Sequence, residues 1–291
     1  MKFPEELKKY HDIVEQGLQS LMTRCYNQNS PVHGACRYAL EGQGKRIRPI
    51  LTLLANKACG GQVEQALQPA LALEMVHTYS LVHDDLPCMD DDDYRRGRLT
   101  THKKFDDATA LLAGDALLTD AFSEATKDEG LDSKYRLAIS QCLAQVSGSS
   151  GMVLGQDQDM FWTGQDKYHL DNLNFIHSHK TGKLIAGACK IGALSAEASP
   201  EKSTLFYNFG LNLGIAFQIM DDLLDDTEDT GKSRGKDIEQ GKLTYLALMS
   251  NSEAKDLAEA YTAKAFDSLA EFGSEAEPLR TLAKALLERT R

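Results

Sequence analysis

Few of the residues that build β-sheets are present: the chain has 7 Val and 10 Ile against 39 Leu. Strands favour β-branched and aromatic residues, and aromatics make up only 7% of the sequence. No segment alternates apolar and polar residues for long, which argues against a sheet-based fold. No run approaches the roughly 18 consecutive apolar residues of a membrane span. The opening MKFPEELKKYHDIVEQ lacks the apolar stretch of a secretory signal. The six cysteines form no CxxC pair and no zinc-like spacing with histidine, so free thiols in a reducing cytosol are expected. There is no GxxxxGK followed by Ser or Thr and no GxGxxG after a strand, which disfavours nucleotide folds. Nor is there an excess of positive charge. With 32 Lys+Arg against 43 Asp+Glu and a formal net charge of -11, the balance is wrong for a nucleic-acid backbone as main partner. The expectation is a cytoplasmic protein without a membrane span.

Leucine, alanine and clustered aspartate are what the chain does have. At 42% hydrophobic and 26% charged it has a globular composition. A length of 291 residues suits one large domain or two ordinary ones. No composition shift or Pro/Ser-rich linker divides it, so residues 1–291 are read as one domain. Leu67, Ala70, Leu71, Glu74, Met75, Thr78 and Tyr79 recur at helical spacing, as do Leu205, Phe209, Leu213, Phe217 and Met220. Ser30-Pro31 and Ser199-Pro200 each pair a capping residue with proline at the first helical position. Gly60-Gly61, Gly130 and Gly273 mark stops or turns, and Thr227 to Gly241 reads as an exposed loop. The fold class is all-α.

Ten acids lie in two tracts, Asp84, Asp85 and Asp90 to Asp93, then Asp221, Asp222, Asp225 and Asp226, which carry nearly all of the net charge. Pro87 cannot donate a helical hydrogen bond to His83. Asp84 and Asp85 therefore belong to the last turn of a helix and Asp90 onward to a bend. On an unbroken helix Asp84 and Asp90 would stand about 240° apart; the break lets them converge. The second tract reads as helix throughout, with Asp221 and Asp225 on one face and Asp222 about 100° to the side. Two unit charges about 4 Å apart repel by about 4 kcal/mol at an effective dielectric near 20, so such carboxylates need water, arginines or metal ions. Oxygen ligands without a thiolate or imidazole cluster suit Mg²⁺, which shares its shell with waters and substrate phosphates. Either tract alone is an ordinary solvated acidic turn. Both together, each ending an apolar helix, read as a metal site.

Cations occur where an anion would need them. GQGKRIRP sets Lys45, Arg46 and Arg48 in a glycine-flexed loop ahead of a helix, and Arg95 and Arg96 follow the first tract. Lys180-Thr181-Gly182-Lys183 borders a run of small residues, and Lys232, Lys236 and Lys242 follow the second tract. Together they suggest a pocket for highly charged phosphate groups.

The ordered set GQGKRIRP, EMVHTYSLVHDDLPCMDDDDYRRG, HKKFDDATALLAGDALL, GMVLGQDQD, HKTGKLI, FQIMDDLLD and GKDIEQGKLTY resembles the trans-prenyltransferases, or polyprenyl diphosphate synthases. Within them it is most similar to the bacterial-type farnesyl diphosphate synthases. The resemblance implies a bundle of about ten or more helices around a central cavity. It also implies a homodimer and head-to-tail condensation of dimethylallyl or geranyl diphosphate with isopentenyl diphosphate, giving farnesyl diphosphate. On this pattern Asp84, Asp85 and Asp90 face Asp221, Asp222 and Asp225 and hold Mg²⁺ against the allylic diphosphate. Arg95, Lys180, Lys232 and Lys242 contact that diphosphate, and Thr181 and Gln218 face the developing carbocation, so that Lys180, Thr181 and Gln218 form the catalytic group. Gly44, Lys45, Arg48, His77 and Arg96 match the isopentenyl diphosphate site. Tyr79, five residues before Asp84, and Ser80 beside it match positions that floor the tail pocket and set chain length. Leu99 stands where the family usually has proline, and Lys236 where small residues are common. The rivals are a geranylgeranyl or geranyl diphosphate synthase, a terpene cyclase, and a non-catalytic regulatory homologue. A cyclase usually carries an Asn/Ser/Glu metal motif in place of the second tract and lacks the isopentenyl-site cations. A regulatory homologue would be expected to have lost an aspartate.

Overall fold

The structure is a computed structural model that describes residues 5–42, 44–165, 169–225 and 244–288. Helix α1 (Glu5–Cys25) buries Leu7, Tyr10, Val14, Leu18, Leu21 and Met22, a stripe at three- and four-residue spacing. Helix α2 (Pro31–Leu40) starts at Pro31 behind an extended Ser30, as the Ser-Pro signal predicts. Helix α3 (Ile47–Ala58) stops ahead of Gly60, whose φ of 83° fits the left-handed turn that glycine adopts without cost. Helix α4 (Val63–Asp84) is buried along most of its length from Ala66 to Val82, the mark of a helix inside the bundle rather than on its surface.

After α4 the chain makes a small antiparallel hairpin, β1 (Tyr94–Arg95) and β2 (Arg98–Leu99), with Tyr94 paired to Leu99. These four residues are too few to show as alternation in the sequence. Leu99 pairs normally, and its carbonyl accepts a 2.8 Å hydrogen bond from the Tyr38 hydroxyl. Helices α5 (Thr101–Lys104), α6 (Asp107–Ala125) and α7 (Ser133–Ser147) follow; Asp106 caps α6 by accepting from the Thr109 N–H at 2.8 Å. Helices α8 (Met152–Trp162) and α9 (Leu170–His177) lead into one π-helical turn, Ser178–Gly182, which continues as α10 (Lys183–Ser195). Helix α11 (Pro200–Asp225) starts at Pro200, with the Ser199 hydroxyl accepting from the Lys202 N–H at 3.3 Å. A short 3₁₀ turn at Tyr245–Ala247 and helices Asn251–Asp267 and Glu277–Leu287 complete the described chain.

Helix α4 packs against α3 and α6, α10 against α3, α4, α7 and α11, and α11 against Asn251–Asp267. One continuous apolar core runs from Leu7 to Leu286. A second cluster, with Leu173, Ile176, Ile219, Leu223 and Tyr245, lies between α9, α11 and Asn251–Asp267. Phe209 and Leu213 of the expected α11 stripe are fully buried and Phe206 joins them. The bundle is all-α apart from the hairpin. All six cysteines are free. Among the described residues no helix is long and apolar enough to cross a membrane.

Candidate active site

Helix α4 ends where Pro87 requires. The Leu86 N–H turns to the His83 carbonyl at 3.1 Å, and the chain folds back until the Asp90 N–H donates to the Asp84 carbonyl at 2.9 Å. The break thus places Asp90 beside Asp84. Burial, with Asp90 and Asp85 nearby, pushes the Asp84 carboxyl up to about 6, although Lys180 and Arg95 oppose this. Asp85 is buried and gripped by Arg95: Nη2 stands 2.6 Å from Oδ1, and Nε donates to both oxygens at 2.8 and 3.0 Å. Burial still raises the Asp85 carboxyl above its ordinary range. The hairpin delivers Arg95 to this position, turning through Arg96 and Gly97 at φ 52° and 75°.

The second tract lies on the last turn of α11. Asp221 and Asp222 are half-buried, and Asp222 Oδ2 accepts the Tyr245 N–H at 2.7 Å. Asp225 closes the helix, while its side chain and Asp226, Lys232, Lys236, Lys242 and the expected loop lie outside the described residues. One turn before Asp222, Gln218 Oε1 accepts the Thr181 hydroxyl at 2.6 Å. Thr181 and Lys180 both belong to the π turn. Lys180 Nζ pairs with Asp159 Oδ2 at 2.6 Å. Burial works against the Lys180 charge, but Asp159, with Asp84 and Asp90 adding, holds its ammonium above the ordinary value. Gly155 of α8 is required here, because a Cβ would collide with the Lys180 backbone.

Whether these carboxylates suit a metal can be judged from the donors. Among the described residues no three of His, Cys, Asp and Glu are grouped closely enough to hold an ion on their own. What the structure has instead is oxygen-only donors, with Asp84 crowded by Asp90 and desolvated. Such a set fits a hard cation that keeps waters and completes its shell with phosphate oxygens.

The glycine-flexed loop divides its three cations. Lys45 is exposed. Arg46 was expected to face an anion with its neighbours, but it turns inward at φ 48°. Its Nε reaches Glu15 at 2.7 Å, Nη1 reaches Glu74 at 2.8 Å, and Nη2 reaches the carbonyls of Leu40 and Gly42 at 2.8 and 2.9 Å. Its donors are spent on the fold. Arg48 is different: its Nε is shut off from solvent without a hydrogen-bond partner, and burial, with Arg96 adding, pushes its guanidinium down to about 10. Gly44 approaches Arg96 so closely that a Cβ would stand 2.8 Å from Nη1. Burial first, then Arg48, Arg96, Arg95 and Arg46, hold His77 well below the ordinary imidazole range. Gly44, Arg48, His77 and Arg96 thus lie near one another. The recess beside them, about 570 Å³, also takes in Tyr38 and Arg98, whose guanidinium lies 4.2 Å from the Tyr38 ring centre.

His77 also lines a larger cavity of about 1110 Å³, open at its mouth, with Arg48, Asp84, Lys180 and Thr181. Its apolar wall is Tyr79, Met89, Met152, Val153 and Met160, with Ser80 and His83. Tyr79 is buried and meets His83 edge-on at 5.7 Å between ring centres. The His83 Nε2 stands 3.0 Å from the Leu111 carbonyl of α6. The Ser80 hydroxyl donates back to the His77 carbonyl at 2.9 Å. Sequence reasoning missed Asp159, Arg98, Tyr38, Tyr245 and the place of His83 in the wall. The interior glycine of GMVLGQDQD, Gly155, marks a close crossing and could have drawn attention to Asp159.

Comparison with known proteins agrees with this arrangement. The polyprenyl synthetase family pattern matches residues 29–275. The chain is 40% identical to a farnesyl diphosphate synthase of Micrococcus luteus over 99% of both chains. It is 41% identical to a chloroplastic geranylgeranyl pyrophosphate synthase of Catharanthus roseus, over 89% of this chain and 74% of the relative. The apo crystal structure of an FPP/GFPP synthase from Zymomonas mobilis superposes with a TM-score of 0.87 at 36% identity, over 97% of this chain and 99% of that one. With its aspartate tracts, cationic recess and apolar cavity on one bundle, the chain belongs to the polyprenyl synthetase family and is a prenyltransferase.

Proposed function

We propose that the protein condenses dimethylallyl or geranyl diphosphate with isopentenyl diphosphate, head to tail, stops at (2E,6E)-farnesyl diphosphate, and releases diphosphate. Tyr79 carries the choice of product. It is buried in the cavity wall, and its ring is backed by His83, which is fastened to the Leu111 carbonyl at 3.0 Å. A ring braced in this way is a floor that a growing chain cannot push aside.

The remaining residues take roles that their geometry supports. Lys180, held by Asp159, and Arg95 stabilise charge as it develops on the departing diphosphate. Asp84, Asp85 and Asp90, with Asp221, Asp222 and Asp225, would hold Mg²⁺, which would supply further neutralisation of that leaving group. The hydrogen-bonded Thr181 and Gln218 present oxygen dipoles to the allylic cation. The apolar side chains of Met89, Met152 and Met160 keep water from it. Arg48, Arg96 and His77, with the exposed Lys45, bind isopentenyl diphosphate, whose double bond attacks the cation. The proton lost in that step goes to the released diphosphate, so no side chain is assigned as base. We place the enzyme in the cytoplasm as a homodimer; Leu111 and Leu112 on α6 and Leu137 on α7, exposed by 47%, 52% and 59%, support a self-associating face.

A second reading, a geranylgeranyl diphosphate synthase, is favoured by the comparable identity of the Catharanthus roseus relative. Incubation with Mg²⁺, isopentenyl diphosphate and each allylic starter, followed by separation of products by chain length, decides between them. Farnesyl diphosphate as the main product is expected. A geranylgeranyl product supports the second reading, and no elongation with any starter points to a regulatory homologue.

A further inference from the structure

Two links tie α11 to the chain ahead of α10. In the first, Gln218 accepts the Thr181 hydroxyl at 2.6 Å. In the second, one turn along α11, Asp222 Oδ2 accepts the backbone N–H of Tyr245 at 2.7 Å. Tyr245 is itself fully buried. Its ring stacks on His177, 5.3 Å between centres and 20° between planes, and its hydroxyl donates to Asn174 Oδ1 at 2.7 Å. Asn174 and His177 form the last turn of α9, which runs directly into the π turn carrying Lys180 and Thr181. The links therefore close a ring: Gln218 to Thr181, back along the chain to His177 and Asn174, across Tyr245, and on to Asp222.

We propose that Tyr245 is a positioning residue that fixes the Asp222 carboxylate relative to the Lys180–Thr181 segment, so that one buried aromatic side chain aligns the second aspartate tract with the allylic site. The proposal rests on the reading of that tract as a divalent-cation site. Any residue but proline could offer a backbone N–H. What holds this one against Asp222 is the anchoring of its side chain, ring against imidazole and hydroxyl against amide. Loss of the hydroxyl removes the hydrogen bond that ties the buried Tyr245 ring to the half-buried Asn174, and a lost bond of about 1 kcal/mol loosens the segment. The strut sets the direction of the Asp222 carboxylate, as a hydrogen-bonding partner behind a metal ligand does.

The test measures metal binding directly. Free Mn²⁺ is followed by electron paramagnetic resonance in the presence of inorganic diphosphate, using the full chain, its Tyr245→Phe, Asn174→Ala and doubly substituted forms, and Asp222→Asn as reference. Melting temperatures are recorded alongside. Tyr245→Phe is expected to raise the Mn²⁺ concentration at half-saturation about fivefold. Asn174→Ala should do the same, and the double variant no more than either, because both remove one interaction. If Tyr245→Phe melts lower yet binds Mn²⁺ like the parent while Asp222→Asn does not, Tyr245 is core filling alone and the strut is wrong. If the parent shows no diphosphate-dependent binding, or Asp222→Asn leaves it unchanged, the metal reading falls and takes the strut with it.

Discussion

The imidazole of His83 occupies the space that a side chain at position 114 would need: a Cβ on Gly114 would collide with the ring. That contact joins α6 to the cavity floor, since His83 meets Tyr79 edge-on. Gly114→Ala should drive the imidazole toward Tyr79, at a cost of about 1–3 kcal/mol in stability from overpacking, and raise the share of geranyl diphosphate. Tyr79→Ala should act in the opposite sense and lengthen the products. Chromatography of the prenyl products measures both, and an unchanged distribution in both variants would move the floor elsewhere.

Arg48→Gln should weaken isopentenyl diphosphate binding and stabilise the free enzyme at once. The parent keeps a cation whose Nε is sealed off and unpartnered, close to Arg96. Its removal relieves about 1–3 kcal/mol from the unsatisfied Nε, offset in part by the lost attraction to Glu74, so the melting temperature should rise slightly while KM for isopentenyl diphosphate increases at least tenfold. A variant that melts lower would mean that Arg48 is structural.

Much of this arrangement was legible because it depends on local chemistry. The α4 and α11 stripes, the Ser-Pro starts and the helix end at Pro87 follow from spacing and from a missing N–H. Arg46 was not legible. It sits between Lys45 and Arg48 in one short basic run, and only the tertiary position of Glu15 and Glu74 turns it inward. Asp159 and Tyr245 were hidden for a similar reason. Their partners, Lys180 at 21 residues and Asp222 at 23, are distant in sequence, and nothing in either neighbourhood records the contact.

Asp159→Asn keeps the shape of the Lys180 contact and removes its charge. The 2.6 Å pair then becomes an ordinary hydrogen bond and the ammonium is held less firmly. We expect kcat to fall about tenfold, equivalent to about 1.4 kcal/mol in the barrier, with KM for isopentenyl diphosphate little changed. Steady-state kinetics in each substrate separates the two effects; a change confined to isopentenyl diphosphate KM would contradict the placement of Lys180 on the allylic side.

His177 should make the fold sensitive to acid. Burial, with Lys180 adding and Asp159 opposing, lowers its imidazole from 6.5 to about 4. The unfolded chain therefore binds the proton more readily than the native one. This contribution to stability is complete above about pH 6.5 and is lost as the pH falls through about 4, amounting to about 3 kcal/mol. His177→Phe keeps a ring against Tyr245 and should flatten the melting temperature between pH 4 and 6.5. A slope equal to the parent's would assign the acid sensitivity to other groups.

The single π-helical turn at Ser178–Gly182 holds one residue more per turn than its flanks. Excising any one of those residues would let the backbone wind regularly from α9 into α10, an apparent gain in order. The flanking helices would keep nearly their present register, because the extra residue is absorbed within that turn, but the side chains inside it would be re-spaced around the axis, so that Lys180 and Thr181 could not both keep Asp159 and Gln218 as partners. Local regularity and reactivity are in conflict over these five residues, and the chain retains the irregular winding.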